Sequence, residues 1–352
     1  MFLSRVKVLV IDDSAFMRKL ISDLLLESPS IDVIGTAKNG KEGIEKIAEL
    51  DPDVVTLDIE MPVLNGLDTL QIIMDKFPRP VIMLSSSTKE GAENTIKSLA
   101  FGAFDFIPKP SGSISLDIFK VKEELIAKVL AAKRAKEKVQ MLKKEIDTFP
   151  RKEMMKEKSH RQRKKSLIAI GTSTGGPSTL QKIVPCFPKN LNSPIFIVQH
   201  MPPGFTKSLA ERLNEMSNIE VKEGEHQEIV RNGVAYIAPG GSHMKVIEKQ
   251  GNLFIELDQS EKKRGHRPSV DVLFESLSNL KYYQTIACIL TGMGSDGTKG
   301  LKALKERTDA TGIAQSEKTS IIFGMPKSAI QANVVDYVED LMEIPYLIQK
   351  LI

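Results

Sequence analysis

Short apolar runs alternate with stretches whose apolar residues recur every three or four positions, and this alternation holds through both halves of the chain. In the first half, apolar runs at 6–11, 31–36, 54–57, 81–84 and 104–107 predict strands. Between and after them, helical spacing predicts helices at 40–50, 67–77, 90–101 and 116–129. Another helix is predicted to open after Ser14, a plausible cap, carrying Phe16, Met17, Leu20, Ile21, Leu24 and Leu25 at helical spacing. Five strands in strict alternation with helices imply a doubly wound five-stranded parallel sheet, an α/β fold of about 130 residues.

A second set of α/β units starts at Ser166. Strands are predicted at 167–170, 195–198, 233–238, 286–290 and 312–314, with a hairpin of 244–247 and 253–257. Helices are predicted from Pro177 onward and at 207–213, 267–280 and 299–307. This pattern implies a Rossmann-like α/β domain with a mostly parallel sheet. Between the halves, 131–146 is able to extend the preceding helix, whereas 147–165, broken by Pro150, reads as disordered. The expected organisation is therefore a first domain at 1–129, a basic flexible linker at 130–165 and a second domain at 166–352.

Charge changes this picture in one respect. The formal net charge is +4, yet residues 131–165 alone hold 14 Lys/Arg against 5 Asp/Glu, so the rest of the chain is acidic. A basic excess confined to a linker is read as a solvated tether, which argues against a nucleic-acid-binding face. No compact helix-turn-helix pattern follows the linker either. No apolar run approaches the roughly 20 residues needed to cross a bilayer, and the N-terminus lacks a signal-peptide layout, so no membrane insertion and a cytoplasmic location are expected. Cys186 and Cys288 lie in apolar contexts and fit buried small hydrophobes in a reducing compartment.

The candidate chemistry sits where strands end. In the first half these ends carry Asp12, Asp13, Asp58, Ser85 and Lys109. In a parallel sheet they share one edge, and three converging carboxylates imply a hard divalent cation such as Mg²⁺. A hydroxyl and a lysine beside them suit the oxygens of a phosphoryl group. In the second half, Gly171-Thr172-Ser173-Thr174-Gly175 is a strand-to-helix turn of the G-x-S-x-G form. Such a turn exposes a nucleophilic hydroxyl beside unpartnered N–H groups, but it equally suits phosphate binding or a plain Rossmann-type turn. His200 and Asp296 follow two other apolar strands, so a nucleophile, a base and an orienting carboxylate are expected at one rim. Asp296 also reads as a helix cap, a role compatible with the first. Among the other histidines, His160 and His226 read as surface, and His243 and His266 as loop residues bordering a site.

Residues 5–125, with Val-Asp-Asp-Ser, Leu-Asp-Ile-Glu-Met-Pro and Pro-Lys-Pro, resemble response-regulator receiver domains. That resemblance implies Asp58 as phosphoryl acceptor from a chemotaxis histidine kinase, and Mg²⁺ held by Asp12, Asp13, Asp58 and the backbone of Glu60. It further implies that Ser85, where many receivers have threonine, and Lys109 read the phosphoryl oxygens. Residues 167–350 resemble the catalytic domain of chemotaxis methylesterases of the CheB type, through Gly-Thr-Ser-Thr-Gly-Gly-Pro, Val-Gln-His-Met-Pro-Pro-Gly-Phe-Thr, Ala-Pro-Gly-Gly-Ser-His-Met, Arg-Pro-Ser-Val-Asp-Val-Leu-Phe and Leu-Thr-Gly-Met-Gly-Ser-Asp-Gly. The resemblance implies a Ser173 nucleophile, a His200 base, an Asp296 orienter and oxyanion donors near Thr174 and Met293. It also implies methyl-accepting chemoreceptors as substrates, through hydrolysis of glutamyl methyl esters and deamidation of glutamines. A monomer is expected, with a receiver that covers the esterase site until Asp58 is phosphorylated.

Overall fold

A strand apolar at every position is stable only where both sheet faces are covered, and this is the state of the central strands in both halves. The structure is a computed structural model that describes residues 5–86, 88–109, 116–143 and 165–352. The chain divides into two units, Met1–Phe149 and Pro150–Ile352.

The first unit places β1 (Val6–Ile11), β2 (Ile31–Ala37), β3 (Val54–Asp58), β4 (Val81–Ser85) and β5 (Asp105–Pro108) in the parallel order β2-β1-β3-β4-β5. Helices α1 (Ala15–Leu26), α2 (Gly40–Leu50), α3 (Gly66–Lys76), α4 (Lys89–Ala100) and α5 (Leu116–Lys143) alternate with the strands. Side-chain oxygens of Ser14, Asn39, Asn65 and Thr88 accept N–H bonds that open α1 to α4. All positions of β3 and β4 are buried. This is the five-stranded doubly wound sheet expected from the pattern. Helix α5 continues past residue 129 into the segment expected to begin the linker. The remainder of that segment, 144–164, lies outside the described residues.

The second unit is built on seven strands in the order β14-β13-β12-β6-β7-β9-β8, every pairing parallel. They are β6 (Ser166–Thr172), β7 (Ile195–Gln199), β8 (Glu220–Glu223), β9 (Val234–Ile237), β12 (Gln284–Ile289), β13 (Ala310–Gln315) and β14 (Tyr337–Glu339). A separate antiparallel hairpin pairs β10 (His243–Lys249) with β11 (Asn252–Asp258), as the sequence predicts. Helices α6 (Gly176–Ile183), α7 (Phe205–Met216), α8 (Val270–Leu277), α9 (Thr298–Arg307), α10 (Met325–Gln331) and α11 (Ile344–Leu351) cover it. The helix predicted at 267–280 is shorter at both ends, Val270–Leu277; at its start Pro268 lies in a bend and Ser269 is extended. Strands β8 and β14 and helices α10 and α11 were not predicted. They are short, and β8 and β14 leave several polar or exposed positions, so periodicity carries little signal there.

Phe196, Tyr236, Phe274 and Leu273 form part of the core beneath the sheet, with Met244 and Val246 of the hairpin closing it. Strand β6 lies centrally, flanked by β12 and β7. The chain leaves β6 toward β7 on one side and returns later to β12 on the other, so the carboxyl end of β6 is a topological switch point.

Candidate functional site

Ser173, His200 and Asp296 meet at the carboxyl edge formed by β12, β6 and β7. Ser173 directly follows β6, and its backbone N–H donates to Thr291 O at 3.0 Å, which ties it to the end of β12. Gly175 adopts φ +73°, which favours glycine, and a Cβ on Gly176 would lie 1.9 Å from Gln199 Oε1, so a side chain there would displace the Gln199 amide. The Gln199 side-chain amide donates to Ser173 O at 3.0 Å and to His200 O at 3.2 Å, bridging two strand ends with one group.

His200 Nδ1 lies 3.2 Å from Ser173 Oγ, and His200 Nε2 lies 2.8 Å from Asp296 Oδ2. With the proton on Nε2 donated to the carboxylate, the Nδ1 lone pair faces the serine hydroxyl. Asp296 is buried and takes further bonds from Ser269 Oγ at 2.9 Å and from the N–H groups of Val270 at 2.7 Å, Asp271 at 3.0 Å and Gly297 at 3.1 Å. Burial alone pushes this carboxyl upward, but His200 and the backbone donors outweigh it and hold it well below the usual carboxylate range. The N-cap of α9 is Gly297 with no side-chain cap, so Asp296 stands one residue ahead of the helix and does not cap it, contrary to the sequence expectation; its carboxylate takes the Gly297 N–H and serves the imidazole. Asp271 completes this corner, accepting from Gly297 N at 2.9 Å and Gly300 N at 2.7 Å. Burial raises its carboxyl, and the Asp296 charge adds to this against bonds from Gly300 and Gly297 and the Arg264 charge.

Thr174 and Met293 flank the serine. A Cβ on Gly292 would lie 2.8 Å from Ser173 Cβ, which sets the Gly292–Met293 turn against the nucleophile. The N–H groups of Thr174 and Met293 donate to no backbone carbonyl among the described residues. Of the bordering histidines, His266 stacks on His200 with ring centroids 3.9 Å apart and planes at 7°, while His243 is buried at the start of β10. His226 is exposed and accepts from Leu257 N, and His160 lies outside the described residues. Ser269, Asp271 and Gln199 are site residues that sequence reasoning did not single out. Ser269 and Asp271 read locally as the start of an ordinary helix, and only tertiary placement reveals their partners.

In the first unit, oxygens of Asp12, Asp13 and Asp58 lie within 4.8 Å of one another. Lys109 Nζ sits 3.0 Å from Asp12 Oδ2 and 2.7 Å from Asp58 Oδ2. One ammonium against three carboxylates leaves an excess of negative charge, and an all-oxygen donor set of this kind suits a hard divalent cation. Burial pushes the Asp58 carboxyl up to about 6, with Asp12 adding to the rise and the Lys109 bond opposing it. Ser85 is buried, and its hydroxyl is 3.1 Å from Gly91 O and 2.6 Å from Thr95 Oγ1, engaged with α4. Glu60 N lies 3.4 Å from Asp58 Oδ1. Arg18 of α1 donates to Asp12 O at 2.7 Å and Asp13 O at 3.0 Å, which fixes the peptide carrying the acidic pair.

Residues 168–348 match the family described as CheB methylesterase, and residues 8–118 match the response regulator receiver domain. The chain is 53% identical over 351 residues to the protein-glutamate methylesterase/protein-glutamine glutaminase of Geobacillus kaustophilus, covering 99% of both. It is 49% identical to the protein of that name from Bacillus subtilis, covering 96% of both. A crystal structure of the Thermotoga maritima CheB methylesterase catalytic domain superposes with TM-score 0.52 at 45% identity, covering 55% of this chain and all of that one. No described helix is long and apolar enough to cross a membrane.

Proposed function

We infer function from one premise: the chain belongs to the CheB methylesterase family and carries a response regulator receiver domain. It is a protein-glutamate methylesterase/protein-glutamine glutaminase. Our reading is that Ser173, His200 and Asp296 perform the hydrolysis. The observation that carries it is the unbroken line of contacts from Ser173 Oγ through His200 to Asp296, at 3.2 and 2.8 Å.

In this mechanism the Ser173 Oγ–H proton passes to His200 Nδ1 as Oγ bonds to the ester carbonyl carbon. Asp296 keeps the Nε2 proton in place and stabilises the imidazolium. The N–H groups of Thr174 and Met293 are the proposed donors to the oxyanion. The carbonyl–methoxy bond then breaks, and methanol leaves with the proton from Nδ1. For a glutamine side chain the same step releases ammonia. Water, deprotonated by His200, attacks the acyl-serine, and the glutamate carboxylate departs as Oγ regains its proton. Ser173 is only half-buried, which suits a side chain presented on a protein surface rather than a small molecule in a deep pocket. The substrates we assign are methyl-accepting chemoreceptors.

The receiver half is read as the control element. Asp58 is the proposed acceptor of a phosphoryl group from a chemotaxis histidine kinase, and Asp12, Asp13, Asp58 and the Glu60 carbonyl would hold Mg²⁺. The cation would screen the carboxylates from the incoming phosphoryl oxygens. Lys109, already between Asp12 and Asp58, is placed to bind one of those oxygens, whereas Ser85 must give up its contacts with α4 to do so. Domain limits of 1–129, 130–165 and 166–352 and a cytoplasmic site of action complete the proposal.

Methanol release from methylated receptor, measured for the parent chain and Ser173→Ala, tests the nucleophile. The variant is expected to lose at least about 10³-fold in rate while still taking up phosphate at Asp58. Methanol release by Ser173→Ala at the parental rate would overturn the assignment.

A further inference from the structure

We propose that His266 is a positioning residue for the base: its ring, stacked on His200, holds that imidazole in the plane joining Ser173 to Asp296, and only uncharged His266 supports turnover. This rests on the reading of His200 as the base.

The two in-plane nitrogens of His200 are committed to Ser173 and Asp296, so neither bond stops the ring from rocking about the line between them. A flat partner on the ring face does. His266 is that partner, parallel within 7° at 3.9 Å. The ring is delivered by the strap 259–268, most of which is exposed yet pinned repeatedly. Arg267 donates to Gln259 O at 2.6 Å and Ser260 O at 2.9 Å, and its own carbonyl accepts from Gly241 N at 3.1 Å. His243 Nε2 lies 3.1 Å from Glu261 O. Lys263 and His266 exchange two backbone bonds of 3.1 and 2.9 Å. Arg264 bonds Ser295 Oγ and lies 3.6 Å from Asp271.

The charges around the stack define the second part. When His200 takes the serine proton, a cation forms against the His266 ring, and a neutral aromatic face favours it. Lys262, Lys263, Arg264 and Arg267 on the strap are already positive. Glu261 on the strap, Asp296 on the far edge of His200, Asp271 and Glu275 of α8 and Asp258 at the end of β11 are negative groups of this region, and His243 of β10 contacts the strap at Glu261 O. A protonated His266 would add one more positive charge in direct contact with the nascent imidazolium, so acylation slows as His266 takes its proton.

The test uses the full chain and methylated receptor, with kcat and KM measured from about pH 5.5 to 8.5. His266→Ala is expected to lower kcat roughly 10- to 100-fold with KM within about twofold, the signature of a misaligned base. His266→Phe keeps the flat face without titrating. It is expected to hold most of the parental kcat near pH 8, with an acid limb that loses one proton dependence and moves to lower pH. Parental kcat in His266→Ala, or an acid limb in His266→Phe that superimposes on the parent, overturns the proposal. Where circular dichroism shows His266→Ala unfolded, the His266→Phe profile decides alone. Ser173→Ala runs in parallel: if it is inactive while both His266 variants are parental, only this inference falls, and if it is active the base reading falls with it.

Discussion

Asp58 and Asp296 are equally hidden, each 2% exposed, yet their surroundings push them in opposite directions. Asp296 receives His200, the Ser269 hydroxyl and three backbone N–H groups, all of which favour the charged form. Asp58 shares Lys109 with Asp12, and burial lifts its carboxyl to about 6. Only the ionised carboxylate attacks phosphorus. Phosphoryl uptake from acetyl phosphate is therefore expected to fall as pH drops through about 6, and added Mg²⁺ should move that midpoint lower. The stability sign follows from the raised folded value. Above about pH 6 the buried charge opposes folding, and this cost is relieved as pH falls from there toward the unfolded-chain value of 3.8. Asp58→Asn should thus abolish uptake and raise unfolding free energy at neutral pH by on the order of 1–2 kcal/mol in urea titrations. Both carboxylates were legible in sequence because each follows an apolar strand. Their opposite tuning was not, since it depends on Ser269, Val270 and Lys109 arriving from distant positions.

The two halves open their helices differently. In the first unit, α1 to α4 begin at Ser14, Asn39, Asn65 and Thr88, whose side chains bond the first turn. In the second, α6, α7 and α9 begin at Gly175, Gly204 and Gly297 with no cap of their own. For α9 the missing acceptor comes from α8, where Asp271 binds Gly297 N and Gly300 N. Asp271→Ala leaves the Gly300 N–H without its acceptor, while Gly297 N keeps Asp296 Oδ1 at 3.1 Å, and this is expected to cost about 1–3 kcal/mol in urea unfolding. It should also lower kcat, because Asp271 N and Gly297 N hold Asp296. Asp271→Asn, which keeps an acceptor oxygen, should cost less. The caps of the first unit could be read directly from Ser, Asn and Thr ahead of apolar periodicity. A cap supplied from another helix leaves no local signature, and the same holds for the short elements β8, β14, α10 and α11.

At the scale of the whole chain, the alternation of strand and helix identified both units, because each sheet is parallel and covered on both faces. The order of the seven strands was not legible, and it is this order that unites a serine, a histidine and an aspartate far apart in sequence. Residues 166–352 should form an active esterase alone, since a Thermotoga maritima domain matching 55% of this chain yields crystals. If the receiver restrains that activity, the 166–352 fragment releases methanol faster than the unphosphorylated full chain, and equal rates would remove the idea of restraint. The middle strand of the seven has a further consequence. Gly171 of β6 pairs with Val198 of β7 on one side and Ile289 of β12 on the other, so Ser173 and His200 directly follow neighbouring strands and Asp296 lies in the loop that leaves the third. Ser173 and His200 are thereby tied to the ends of paired strands, and Asp296 to them through His200. Heat inactivation of this half is then a cooperative event, in which deuterium uptake by the innermost strands and loss of turnover share one threshold.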